Sequence, residues 1–375
     1  VQKSDAMFLP TLALIVTLNV TPPPVTSADT RALCVPSVQL AQPEACPAYG
    51  PGDYWAHYAT ARVPAPLPDL PLASLPVPDP IIEFNYARVT TPDAPLFTTP
   101  ADGVAGHVAR TLGKGFIFVN MLESAEEGGQ AFYKIRAGEY IRASDVQAVT
   151  PSSFQGLKFT TPPTYPVGWL VATVRPSYRP GEAAPTTGPR LGRYRVVQIF
   201  ATQKVGDWNW YLVGPNQWLN QRVVSVLTLN APPSGVTGKW VQVDLYEQTL
   251  VAYEDTTPVY ATLISSGLDK WATRPGLFQV YARYYLDGMR GSYEPDGSDY
   301  YSLESVPWVM YFDGARALHG EYWHNGLGFK RSHGCVNLAP LDARWLYDWT
   351  PKGTWVWVYD PSGQTPVDGE AGGAP

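Results

Sequence analysis

Residues 317–340 read ALHGEYWHNGLGFKRSHGCVNLAP. His319, His324, His333 and Cys335 fall inside this stretch, out of five histidines and three cysteines in a chain of 375 residues. Three chemistries fit such a cluster. In the first, Cys335 is a nucleophile. A free thiol has a pKa of about 8.5 and attacks only as thiolate, so it needs a base, and an imidazole can take its proton. Loop folding can bring either His319 or His333 to the sulfur, and geometry must choose between them. Gly334, with no Cβ, permits a tight turn just before the nucleophile. Backbone N–H groups around Gly334 and Cys335, with a helix starting near Pro340, suit a developing oxyanion. In the second chemistry the same side chains bind zinc, but spacings of five, nine and two residues without a second cysteine pair fit ligand patterns poorly. In the third, Cys335 is an inert buried thiol and the histidines fill space.

The rest of the chain narrows the setting. Charged residues are 16% of the total, below the roughly 25% of an average soluble protein, and 27 Lys plus Arg against 33 Asp plus Glu leave a net charge of −6. That balance lacks the basic stripe of a nucleic-acid binder. With 33 Gly, 38 Pro and 13% aromatics, many turns separate β-favouring runs, so a mainly β protein is expected and a helical bundle is excluded.

Near the start, residues 8–18 are apolar apart from Pro10, Thr11 and Thr17, with Lys3 before them and the small Ser27 and Ala28 after them. The run is too short to span a membrane, which takes about 20 residues, and has the length of a signal-peptide core. Residues 1–28 are therefore expected to direct export to the cell wall or periplasm, either cleaved or retained as an anchor. Cys34 and Cys46 can pair in an oxidising compartment, leaving Cys335 as the odd thiol. Residues 29–80 read as a proline-rich linker, with seven prolines between Arg62 and Pro80, and so as a semi-rigid spacer.

Residues 81–150 and 165–230 look like two copies of one module. FYKIRAGEYIRASDV (132–146) aligns with WYLVGPNQWLNQRVV (210–224) at an offset of 78, matching Phe132 to Trp210, Tyr133 to Tyr211, Tyr140 to Trp218, Ile141 to Leu219 and Val146 to Val224. Such self-similarity marks a repeat. The turn between two aromatic pairs resembles bacterial SH3-like barrels, which implies wall binding, although aromatic pairs serve equally as the core of a mere spacer. Two detachable barrels imply that removing residues 1–230 leaves a folded remainder. After the turn-rich joint NAPPSGVTGK (230–239), several alternating runs over 240–312 and GTWVWVYD (353–360) read as antiparallel strands. One helix is expected over 340–349, where Pro340 suits the first turn and Leu341, Trp345 and Trp349 recur every four residues. The Gly-, Asp-, Ser- and Tyr-rich segment 284–308 reads as a surface loop, either placed to cover a groove or an ordinary hairpin connection. Residues 361–375 read as a disordered tail.

The string Ser332-His333-Gly334-Cys335-Val336-Asn337, with His319-Gly320 upstream, resembles the signature of the L,D-transpeptidase catalytic domain. ISSGLDKWATRPGLFQVYAR (264–283) resembles that family's upstream segment, with Thr273-Arg274-Pro275-Gly276 departing from its usual Thr-Pro-Thr-Gly-like turn. The resemblance covers about 238–360 and implies a β-sandwich-like domain with one short helix after the nucleophile. It implies that Cys335 is the nucleophile and His319 the base, oriented by the Gly320 carbonyl. His333 then lines the oxyanion and acceptor side, or is itself the base, while Ser332 and Asn337 brace the loop. His324 matches nothing in the motif and reads as a loop residue. The implied substrates are peptidoglycan stem peptides, joined 3→3 with release of D-Ala, and carbapenem-type β-lactams would acylate the same thiol. No cofactor or metal is implied. The rival readings are an L,D-carboxypeptidase or thiol peptidase on the same polymer, and a wall-binding protein with an inactive catalytic domain.

Overall fold

The computed structural model describes residues 63–64 and 66–365. Residues 1–28, Cys34, Cys46 and most of the C-terminal tail lie outside them, and with them the expected export signal and disulfide. Described residues are mainly β. The largest sheet runs in the order Gly276–Gln279, Trp355–Tyr359, Lys239–Asp244, Thr249–Glu254, Thr257–Ser265, Val336–Leu338, Arg316–Gly320, Tyr301–Asp313, Phe116–Met121, Asn85–Val89 and Val146–Val149. Trp240, Val241, Val243, Leu263, Ile264, Leu318 and Val336 are fully buried within it. Helix Pro340–Trp349 crosses one face with Leu341 and Leu346 inward. Trp345 and Trp349, expected on that buried face, sit at its margin, where Trp345 stacks on Tyr260 with ring centres 4.0 Å apart. A second, six-residue helix, Pro100–Ala105, was not expected. It is too short to show a period, but Thr99 and Asp102 close it with a reciprocal capping box.

The sequence repeat survives in three dimensions. Strands Gln130–Arg136 and Trp208–Gly214, strands Glu139–Arg142 and Gln217–Asn220, and the 3-10 turns Ala143–Asp145 and Gln221–Val223 all keep the offset of 78. Each half pairs its first strand between its last and an internal one, as Val146–Val149, Asn85–Val89, Phe116–Met121 and as Val224–Val226, Val167–Leu170, Val196–Gln198. Each then adds a three-stranded meander.

The halves are tied into the rest of the chain, however. Phe116–Met121 pairs in parallel with Tyr301–Asp313, matching Phe116 to Tyr301 and Phe118 to Leu303. Ser305 is held from the first module by the Tyr86 hydroxyl, 2.8 Å from its carbonyl, and by Asn120 Nδ2, 2.7 Å from its Oγ. Glu304 accepts from the Asn120 N–H at 2.9 Å and pairs with Arg136. Tyr86 stacks on Tyr322 at 3.6 Å. Between the modules, Leu157–Phe159 pairs with Thr257–Ser265, and the Gly156 N–H donates to buried Asp342 at 2.7 Å. Even the proline-rich segment is docked where described. Leu72–Ala73 pairs with Leu157–Phe159, and Leu70 and Leu75 pack on the core. Prolines forfeit donors but keep carbonyl acceptors, and the leucines between them supply apolar anchors, so a spacer composition can serve as a strap.

Removing residues 1–230 would therefore strip the main sheet of five strands and uncover Tyr322 and Leu303. Full burial of each large apolar side chain contributes about 1.5–3 kcal/mol, a sizeable part of a domain's marginal stability. The expected outcome is an aggregating protein without a cooperative melt, checked by thermal circular dichroism against the full chain. A sharp, reversible melt would show the domain to be independent.

Candidate active site

The strand register builds the site. Arg316–Gly320 and Val336–Leu338 are parallel, with Leu318 opposite Val336 and His319 opposite Asn337. Side chains alternate faces along a strand, so Cys335, one residue before Val336, shares the face of Asn337 and His319 and stands one pair away from His319. The Ala317 N–H points at the Cys335 sulfur, and the Ala315 carbonyl lies 3.7 Å from Sγ.

The turn before the nucleophile is held from several sides. The Ser332 hydroxyl donates to the Cys335 carbonyl at 2.5 Å and accepts the Gly334 N–H at 3.1 Å. The Gly334 N–H, expected at an oxyanion, is thus engaged in folding the loop. Gly334 has φ +115°, in the region that favours glycine. Thr273, from the departing Thr-Arg-Pro-Gly turn, is fully buried. Its hydroxyl accepts the Gly267 N–H and donates to the Gly334 carbonyl, both at 2.9 Å. Behind the loop, buried Arg316 pairs with Asp313 at 2.8 Å, and Asp313 also pairs with Arg274.

Thr273→Val keeps the shape and removes the hydroxyl. Each orphaned buried group costs about 1–3 kcal/mol. A lower melting temperature and slower acylation of Cys335 are expected together, with Thr273→Ser restoring both. A drop in stability with unchanged acylation would remove Thr273 from the positioning of the loop.

The four clustered residues go to different places. His319 is buried, with Nδ1 3.0 Å from the Gly320 carbonyl. That contact places the proton on Nδ1 and leaves Nε2 unprotonated toward the cavity, which His319 lines with Cys335. Desolvation lowers the His319 pKa to about 4 against the opposing pull of the Gly320 carbonyl. Burial pushes the Cys335 thiol up to about 11, with the Ala317 N–H and Arg316 pulling the other way. The resting pair is a neutral thiol beside a neutral imidazole. His333 lies in an aromatic cage instead, stacked on Trp271 at 3.8 Å and near Tyr301 and Tyr293 at 5.0 and 5.6 Å. Its Nε2 is 4.0 Å from Asp299.

His324, expected to be a loop residue only, is part of the cavity wall. Its Nδ1 accepts the Gly326 N–H at 3.1 Å, so its proton is on Nε2, 3.3 Å from the Asn337 side chain. The Asn337 amide must then present its oxygen, which ties Asn337 to His324 rather than to the nucleophile loop. Glu321, overlooked in the sequence, is fully buried next to Gly320, and its carboxyl accepts the His324 backbone N–H at 2.9 Å. Desolvation raises its pKa to about 8 despite the N–H groups of His324 and Trp323.

The cavity measures about 890 Å³. Segment 284–308 bounds it as a long hairpin, because Ala282–Gly291 and Tyr301–Asp313 pair along most of their length. Asp299 closes the tip by accepting from Ser292 Oγ at 2.6 Å, Tyr293 N at 2.9 Å and Glu294 N at 3.0 Å. Desolvation opposes these bonds, but together they hold its carboxyl at about 2. Tyr293 also donates to the His333 carbonyl at 3.0 Å.

Residues 238–358 match the family model of the L,D-transpeptidase catalytic domain, YkuD. A curated Bacillus subtilis (strain 168) protein, "Putative L,D-transpeptidase YciB", is 30% identical over 136 residues. The match covers 31% of this chain and spans 63% of that relative's length. Among solved structures, an Enterococcus faecium L,D-transpeptidase is 25% identical, covering 33% of this chain and 50% of that one with a TM-score of 0.31. An L,D-transpeptidase fragment from Xylanimonas cellulosilytica DSM 15894 is 32% identical, covering 34% and 63% with a TM-score of 0.28. By its sequence match, the unit that holds Cys335 and His319, residues 238–358, is a domain of the L,D-transpeptidase catalytic family.

Proposed function

We propose that the protein is a peptidoglycan L,D-transpeptidase whose covalent intermediate forms on Cys335. The observation that carries this reading is that Cys335 lines one cavity together with a His319 imidazole whose Nδ1–H is fixed to the Gly320 carbonyl. As Sγ attacks the carbonyl of the third residue of a stem tetrapeptide, its proton passes to His319 Nε2 and an S–C bond forms. The C–N bond then breaks, and D-Ala leaves with that proton on its nitrogen. The amine of a second stem attacks the thioester carbonyl, the new C–N bond forms as the C–S bond breaks, a proton passes from the amine through His319 to sulfur, and a 3→3 crosslink results. The acyl donor is the cleaved peptide bond itself, and splitting the transfer into two steps is what a nucleophile contributes. With water as acceptor the same chemistry is a carboxypeptidase reaction. The His333 cage then shapes the acceptor side, and Ser332 with Gly334 fixes the thiol.

This reading places the protein outside the cytoplasmic membrane, where its polymer is, in keeping with the apolar run at 8–18. The repeated halves are read as SH3-like modules with a place in wall binding. Mass spectrometry of muropeptides after incubation tests the proposal. Tetrapeptide stems should lose D-Ala, with dimers joined 3→3 appearing. Unchanged muropeptides from a protein whose Cys335 still reacts with thiol reagents would overturn it.

A further inference from the structure

The cavity wall is not made by the matched domain alone. Arg88, Gly115 and Phe116, all from the first module, line it together with Cys335 and its loop. Phe116 is brought there by a built contact. Its N–H donates to the Tyr300 carbonyl at 2.8 Å, and a Cβ on Gly115 would stand 2.3 Å from that same oxygen. Only glycine lets the two backbones approach, so the module strand is seated on the hairpin at this point.

Over the Phe116 ring lies the Arg88 guanidinium, 5.6 Å from the ring centre. Arg88 is exposed at the end of Asn85–Val89. Among the described residues it has no carboxylate partner, whereas Lys330 on the cavity wall pairs with Asp269 at 2.8 Å. A cation held over an aromatic face, unpaired and facing a cavity, is arranged to receive an anion. Guanidinium geometry suits a carboxylate in particular.

We propose that Arg88, seated on Phe116, is a specificity residue that binds a non-terminal carboxylate of the peptide substrate, making the first module a wall of the substrate site. The proposal deepens the transpeptidase reading and rests on it for the peptide nature of the ligand. It also gives the fused module a role that wall anchoring does not require.

The test uses the full chain carrying Cys335→Ala, so that binding is read without turnover. Two donor tetrapeptides are titrated by calorimetry, one with a free non-terminal carboxylate and one with that group converted to its primary amide. The carboxylate peptide should bind more tightly. Adding Arg88→Ala should weaken it about tenfold to a hundredfold, the worth of a charge-assisted pair, and shift the amide peptide by less than twofold. Arg88→Lys should recover part of the loss. Equal weakening of both peptides, no change in either, or no binding of either overturns the subsite. Arg88-dependent binding without D-Ala release by the wild-type chain would overturn the reaction and leave the subsite standing.

Discussion

Cys335→Ala releases no D-Ala and gains no mass from a carbapenem, while the wild-type chain gains the mass of one whole inhibitor on the peptide containing Cys335. The expectation follows from the bonds made and broken. A β-lactam presents a strained amide where the stem presents an ordinary one. When Sγ attacks it the C–N bond opens, but the nitrogen stays tethered, so nothing leaves and the full mass remains. Cys335 faces the cavity beside His319, and no other thiol among the described residues competes for the reagent. Peptide mapping is needed because Cys34 and Cys46 also carry sulfur. Loss of the nucleophile removes the covalent path altogether, so the effect is the largest expected of any substitution. A metal-dependent hydrolase would behave otherwise, keeping much of its turnover without the thiol and losing it to a chelator. Cys335→Ala protein with full D-Ala release would end the covalent mechanism.

What the sequence could reveal about this site follows from how far each interaction reaches along the chain. The pairing of His319 with the Gly320 carbonyl is one residue long, and the Ser332 turn is three, so the short motif contains them whole. The repeat at offset 78 is legible because its hairpins carry aromatic pairs around tight turns. Thr273 was visible only as a neighbour of an unusual turn. Its tie to the Gly334 carbonyl spans 61 residues and exists only once the sheet has formed. The parallel pairing of Phe116–Met121 with Tyr301–Asp313 joins segments nearly 200 residues apart, and no local pattern announces it. The length of the strands in segment 284–308 was not legible, because its glycines and aspartates look like a loop, whereas a register shift between Asp287 and Met289 lets a long hairpin absorb them. Glu321 carries no signal of its own. A glutamate beside a glycine reads as solvent-exposed until the fold buries it completely.

His319→Ala is expected to slow acylation of Cys335 by about 10²–10⁴-fold, the usual worth of a positioned base, and to change how the rate responds to pH. In the wild-type protein the imidazole titrates near 4 and the thiol near 11. Between those values the pair stays neutral, and the proton moves only as sulfur attacks. Acylation by a carbapenem should then be nearly flat from about pH 6 to 9. The sign is fixed at the acid end, because His319 must be unprotonated to act, so activity is lost only as pH falls through its depressed pKa. Without His319 the reaction depends on thiolate formed beforehand, a minor fraction that grows about tenfold per pH unit until the raised thiol pKa is reached. The variant's acylation rate should therefore climb with a slope near one across the range where the wild type is level. His333→Ala should instead keep the level profile, since its ring is held among Trp271, Tyr293 and Tyr301, and cost less in rate. Stopped-flow acylation of the three proteins over this pH range decides the assignment. A level profile for His319→Ala with a sloping one for His333→Ala would exchange the two histidines.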